Sequence, residues 1–303
     1  MAVEARAGVR PRQRPRRKRL DLTTPALLGL PLGWLVFFFL VPIGIVAAYS
    51  VDALSIYPGE HPLTLRGWDD FVHSAIYLKL FWKSVKLSLL VSVVVVLLAY
   101  PLAYFLALSG TKRKYVLLML LIAPFLTAYL LRVLAWKVIL GSNGVFNTFL
   151  FWTGLRSRDD PVSQLLYSRF AVILVLVYIW LPFVALPIFV SLESLDRRLL
   201  EAASDLGASR WQAFWRVTLP LSIPGVIAAF LFVFIPTLGE FVTPSLVGGT
   251  SGYLYGNQIT DLFGTGFPDW RTGSVLSLFL LAVVALLIIA FARFVRMRRV
   301  AAA

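Results

Sequence analysis

The feature that most limits what this chain can become is a series of six long apolar runs, at about residues 25–49, 85–108, 115–139, 170–192, 219–247 and 273–293. At 1.5 Å of helical rise per residue, each is long enough to cross a hydrocarbon core of about 30 Å. No water is present there to satisfy backbone N–H and C=O groups, so a spanning segment closes its hydrogen bonds internally, as a helix. The expected fold is all-α, a polytopic membrane protein with about six transmembrane helices. Composition points the same way: of 303 residues, 59% are hydrophobic and only 15% charged, against roughly 25% charged in a soluble domain. The chain has no cysteine, which excludes disulfides, thiol nucleophiles and cysteine metal sites.

The net charge of +14 would suggest a nucleic-acid partner in a soluble protein, but its placement suits membrane topology better. Residues 1–24 form a basic arm carrying Arg6, Arg10, Arg12, Arg14, Arg16, Arg17, Lys18 and Arg19, with Pro11 and Pro15. Such a segment is expected to be disordered. It is not expected to be a cleavable signal: the run that follows is longer than an h-region of 7–15 residues, and no A-x-A site succeeds it. Nineteen of the 29 Lys and Arg residues fall in this arm, the Thr111–Lys114 link, the 193–220 loop and the C-terminal segment. That bias predicts cytoplasmic N- and C-termini. A membrane domain is expected over 25–296 and a cytoplasmic tail over 297–303. The opposite loops, about 50–84, 140–169 and 248–272, carry Gly, Pro, Trp and Asp, with Ser142-Asn143-Gly144 as a turn.

Between the fourth and fifth runs lies the longest charged, amphipathic segment after the N-terminus, residues 193–220. Leu192, Leu195, Leu199, Ala202 and Leu206 recur at helical spacing, opposite Arg197, Arg198, Glu201 and Asp205. Gly207 suits a left-handed C-cap. Ser209 and Gln212 have the spacing of a capping box, and Pro220 is expected to stop or bend the helix that follows. The pattern Glu201-Ala202-Ala203, Gly207, Leu219-Pro220 resembles the EAA loop of permease subunits of binding-protein-dependent ABC importers, of the type I architecture. Val217 stands where Ile is commoner. The resemblance implies that this elbow docks on a separate ATP-hydrolysing subunit. The alternative is an amphipathic connector lying in the lipid interface.

Few groups offer chemistry of their own. No G-x-x-x-x-G-K-[ST] phosphate loop occurs, so ATP and magnesium are expected on a partner. His61 and His73 lack a ligand cluster, and no catalytic set or metal site stands out. Within the apolar runs, Arg132 and Glu240 are the candidates for a translocation path, since ionisable groups are costly there. Lys137 reads as snorkelling to the interface. Pro236 and Gly239 are expected to break the fifth helix beside Glu240, and pairing of Glu240 with Arg132 or Lys137 is the competing structural role. The segments Pro124–Asn147 and Gly239–Gly249 look like the corresponding parts of the polyamine permeases, the spermidine/putrescine branch. That resemblance implies a second homologous permease, an ATPase dimer and an extracytoplasmic solute-binding protein as partners, besides membrane lipid, and no nucleic acid. It also implies a non-catalytic subunit carrying a cationic cargo. An ion-coupled carrier or channel subunit is the alternative, and a membrane-bound enzyme would need a polar catalytic cluster that is not seen.

Overall fold

The computed structural model describes residues 23–56, 62–108, 113–157, 160, 162, 165–264 and 268–301, and among them every regular element is a helix. α1 (Thr23–Ser50) is followed by the short α2 (Arg66–His73) and the long α3 (Ala75–Leu108). α4 (Lys114–Ile122) runs into a 3-10 turn over Ala123–Leu126, followed by α5 (Tyr129–Leu140) and α6 (Val145–Trp152). α7 (Arg169–Glu193) leads to α8 (Arg197–Asp205) and α9 (Arg210–Ala213). A π-helical stretch, Phe214–Thr218, joins α9 to α10 (Leu219–Leu238). A second, Pro244–Gly248, precedes α11 (Gly249–Gly252), α12 (Tyr255–Gly264) and α13 (Trp270–Ala301). The basic arm through residue 22, positions 57–60, His61, Thr111, Lys112 and positions 265–267 lie outside the described residues, as do the side chains of the basic C-terminal turn.

The chain divides into two compact units, residues 1–45 and 46–303. The first contributes most of α1, which is apolar all round, with Pro31 inside the helix and the Trp34 and Phe38 rings 4.3 Å apart. The second unit holds everything else.

Among the described residues, six helical segments are long and apolar enough to cross a membrane: Gly29–Ser50, Ala75–Leu108, Tyr129–Trp152, Arg169–Glu193, Arg210–Leu238 and Trp270–Arg293. Five correspond to the expected runs with shifted ends. The third does not. The run expected over 115–139 is cut at Pro124, whose missing N–H ends α4 in the 3-10 turn. Thr127 and Ala128 then take extended conformations before α5 starts. The expected outer loops also contain helix: α2 and the start of α3 at Ala75 lie in the first, α6 in the second and α12 in the third, and the expected turn at 141–144 closes with Gly144 N–H donating to Gly141 O at 2.8 Å.

The core of the second unit is the packing of α3, α7 and α10. Leu87, Val91, Val95, Ala99 and Ala103 line one side of α3 at four-residue steps, all fully buried. They meet Val172, Leu176, Ile179, Ala185 and Ile188 of α7, and Ala229 and Val233 of α10. Lipid is as apolar as leucine, so close packing drives this association more than the hydrophobic effect, and small residues at the crossings permit it. Gly225 marks the tightest one: a Cβ there would lie 2.3 Å from Ser191 Cβ. A smaller cluster, Phe71, Phe81, Tyr255, Val275 and Leu276, joins α2, α3, α12 and α13. Beside it the buried Asp52 accepts from Arg271 Nε at 2.5 Å, pinning the segment after α1 to the start of α13.

Candidate functional site

The elbow is built by local capping. Asp196 caps α8 by accepting from Arg198 N–H at 3.0 Å. At the other end Gly207 has φ +79°, with its N–H on Ser204 O and the Ala208 N–H on Ala203 O, both at 2.9 Å. These two bonds are a Schellman motif, and only glycine enters that conformation without strain. Ser209 and Gln212 form the reciprocal capping box that starts α9. The apolar stripe is divided, however. Leu192 is buried at the end of α7 and Leu195 lies in the turn, whereas α8 has no buried residue at all.

Pro220 does not stop the helix. The backbone widens over Phe214–Thr218, so that Leu219 N–H donates to Phe214 O, five residues back, and the helix runs on into α10. The wider turn accommodates a proline whose ring clashes with the carbonyl four residues back in an ordinary α-helix. Phe214 roots the elbow in the bundle: its ring meets Tyr100 and Tyr104 of α3 edge-on, at 5.8 and 5.7 Å. Tyr100 also hydrogen-bonds Ser222 of α10 at 2.9 Å. Lys114 pairs with Glu193, joining the start of α4 to the end of α7, and this bond raises the Lys114 pKa. Beside its exposed charges the elbow leaves large apolar side chains outside: Leu206 is 89% exposed and Trp211 68%, with Leu199 and Trp215 beside them. Glu201, Ala202, Gly207 and Pro220 are exposed, and Ala203 and Leu219 half-buried.

The second site forms where two helices break. α10 ends at Leu238, and Gly239 and Glu240 close a turn on Pro236 O and Thr237 O. Pro236 itself stays within the last helical turn. The freed backbone is met by protein. Asn257 Nδ2 donates to Phe241 O at 3.0 Å, and Gly256 packs so closely that a Cβ there would sit 2.6 Å from Gly239 O. Across from this break lies the one at Thr127–Ala128, after which Tyr129 opens α5. The Tyr129 hydroxyl donates to Glu240 Oε1 at 3.0 Å and shares a 2.6 Å hydrogen bond with Thr243 Oγ1, and Thr243 N–H donates to the same carboxylate oxygen at 2.9 Å.

Neither of the ion pairs offered as the competing role of Glu240 forms among the described residues. Among the described residues no cation pairs with Glu240. Arg132, only 7% exposed, stacks instead on Phe125 and Tyr129, with its Cζ 5.0 and 5.9 Å from the ring centroids, and its Nε has no hydrogen-bond partner. Tyr129 thus serves both charges, offering its ring to Arg132 and its hydroxyl to Glu240. Lys137 lies over the Tyr167 ring at 5.7 Å. Alongside runs a groove of about 450 Å³ lined by Pro124, Thr127, Arg132, Trp136 and Tyr178. Tyr129 and Thr243 are the functional candidates that sequence reading missed; the one available signal was a tyrosine three residues before Arg132. His73 is exposed on α2 beside Asp69, and no group of three metal-ligating side chains occurs among the described residues.

Comparison with known proteins sets these features in context. The model of the family described as "binding-protein-dependent transport system inner membrane component" matches residues 6–300. The spermidine/putrescine transport system permease protein PotB of Haemophilus influenzae is 38% identical over 269 residues, covering 88% of this chain and 92% of its own. PotB of Escherichia coli is 37% identical over 266 residues, with coverage of 86% and 94%. Among solved structures, a bacterial ABC transporter that imports the acidic polysaccharide alginate shares the fold, with TM-score 0.68 and 23% identity, covering 92% of this chain and 96% of that one.

Proposed function

The chain belongs to the binding-protein-dependent transport system inner membrane components, the multi-pass permease subunits of ABC importers, and on that premise we propose that its cargo is a polyamine such as spermidine or putrescine. The single observation that carries this reading is Glu240. Its carboxylate is oriented by two hydrogen bonds at a helix break, and the nearby Arg132 is held away from it on aromatic rings. A membrane-embedded carboxylate with donors but no counter-cation is set to take a cation from outside the chain. The kinship with spermidine/putrescine permeases at 37–38% identity agrees with a cationic solute.

In the same reading the elbow, through Glu201, Ala202, Ala203, Gly207, Leu219 and Pro220, docks on the ATPase. Its exposed apolar side chains need a cover, and its continuity with α10 through Phe214–Thr218 gives motion at the elbow a direct path to Glu240. The family works with an ATPase and a solute-binding protein. We assign this chain an ATPase dimer and a second permease beside it, cytoplasmic termini, and no catalysis of its own, with ATP and magnesium held by the ATPase. The test is uptake into proteoliposomes holding the full complex. Spermidine should accumulate only with ATP and the ATPase subunit present, and Glu201→Lys should abolish accumulation while leaving the chain membrane-inserted. Accumulation without the ATPase would favour an ion-coupled carrier and overturn the proposal.

A further inference from the structure

Toward the elbow from Glu240, four aromatic rings from three elements converge. Phe125 of the 3-10 turn meets Phe183 of α7 edge-on at 4.2 Å, and Phe183 meets Phe232 of α10 at 5.8 Å. Trp180 packs behind both, 5.7 Å from Phe183 and 6.2 Å from Phe232. Phe232 is 52% exposed and Phe125 38%, so the cluster is not closed over by the chain itself. Facing lipid would explain exposed phenylalanines, but not the company they keep. Arg132 lies on Phe125 itself, and a charged group in a span faces a protein interior or a water-filled cavity rather than hydrocarbon. The guanidinium over Phe125 is a cation–π contact at the edge of this cluster, made without a paired carboxylate.

We infer that Phe125, Phe183 and Phe232 form a cation–π seat for a second ammonium group of the cargo, on the elbow side of Glu240 along α10. This rests on the polyamine reading above and extends it from one cation site to two. Phe232 precedes the end of α10 by six residues and Glu240 by eight, which separates the sites by about 9–12 Å at 1.5 Å per residue. A linear polyamine with widely spaced ammonium groups bridges that distance, whereas a short diamine or a lone metal cation occupies one site at a time. The aromatic seat also favours an alkylammonium, whose charge is carried on an apolar chain, and so selects against the strongly hydrated alkali cations.

Kinetics of the reconstituted complex with spermidine and with putrescine test this. Phe232→Leu keeps an apolar side chain but removes the ring, and is expected to raise the spermidine KM roughly three- to thirtyfold. The putrescine KM should change much less, so the preference between the two collapses, and Phe232→Tyr should restore it. A merely structural residue would shift both substrates alike. Phe125→Leu, on the opposite side of the cluster, supplies the same measurement if the Phe232→Leu complex fails to assemble. Unchanged or equally changed KM values in variants that assemble overturn the second seat while leaving Glu240 untouched. A wild-type complex that moves no polyamine overturns the cargo assignment itself.

Discussion

Glu240→Gln isolates the charge at the helix break from its geometry. Glutamine keeps an oxygen to accept from Tyr129 and from the Thr243 N–H, which hold the carboxylate at 3.0 and 2.9 Å, so the local fold loses no acceptor. Two unit charges 4 Å apart attract by about 4 kcal/mol at an effective dielectric of about 20. Part of that is cancelled when the ammonium sheds water, leaving the net worth of a charged hydrogen bond, about 1.5–3 kcal/mol. The expected result is a KM for spermidine raised roughly 10- to 150-fold. Labelled spermidine uptake into proteoliposomes measures it, with complex yield and thermal unfolding as controls for assembly. A KM within about twofold of wild type, in an assembled complex, would refute the reasoning and leave Glu240 a structural residue.

Two further perturbations address the scaffold. Gly225→Ala places a Cβ 2.3 Å from that of Ser191 and forces α7 and α10 apart, at about 1–3 kcal/mol; thermal unfolding in detergent should fall, and adding Ser191→Gly should recover part of the loss. Arg271→Ala strands the buried Asp52 carboxylate, which should cost about 2–3 kcal/mol. Adding Asp52→Asn to it should cost less than Arg271→Ala alone, and equal unfolding curves for the single variant and wild type would contradict the pairing.

The features legible in the sequence are those set by neighbours in the chain. The spans follow from apolar length, and the Gly207 cap and the Ser209–Gln212 box follow from residues three or four apart. The break at Pro124 was hidden because the run stays apolar across it, and composition cannot distinguish one long helix from two short ones. The π-helical turn before Pro220 was hidden for a related reason: a proline signals a lost hydrogen bond, but not whether the helix stops, kinks or widens. Arg132 and Glu240 were both found as costly charges, with their pairing left as an alternative that does not form. Tyr129 decides it, and its 111-residue separation from Glu240 is bridged only by the packing of α5 against the π-helical stretch that follows Glu240. The aromatic cluster joins residues from three separate elements and has no spacing to betray it.

The chain has no native cysteine, so a single Leu206→Cys substitution, at the most exposed apolar position of the elbow, labels that point alone. In membranes holding the assembled transporter, a short thiol cross-linker should join the introduced thiol to the ATPase subunit, and the site should react with impermeant reagents only in inside-out vesicles. A cross-link to the solute-binding protein, or reaction from the outer face, would contradict the assignment of the elbow as the point where the motor takes hold.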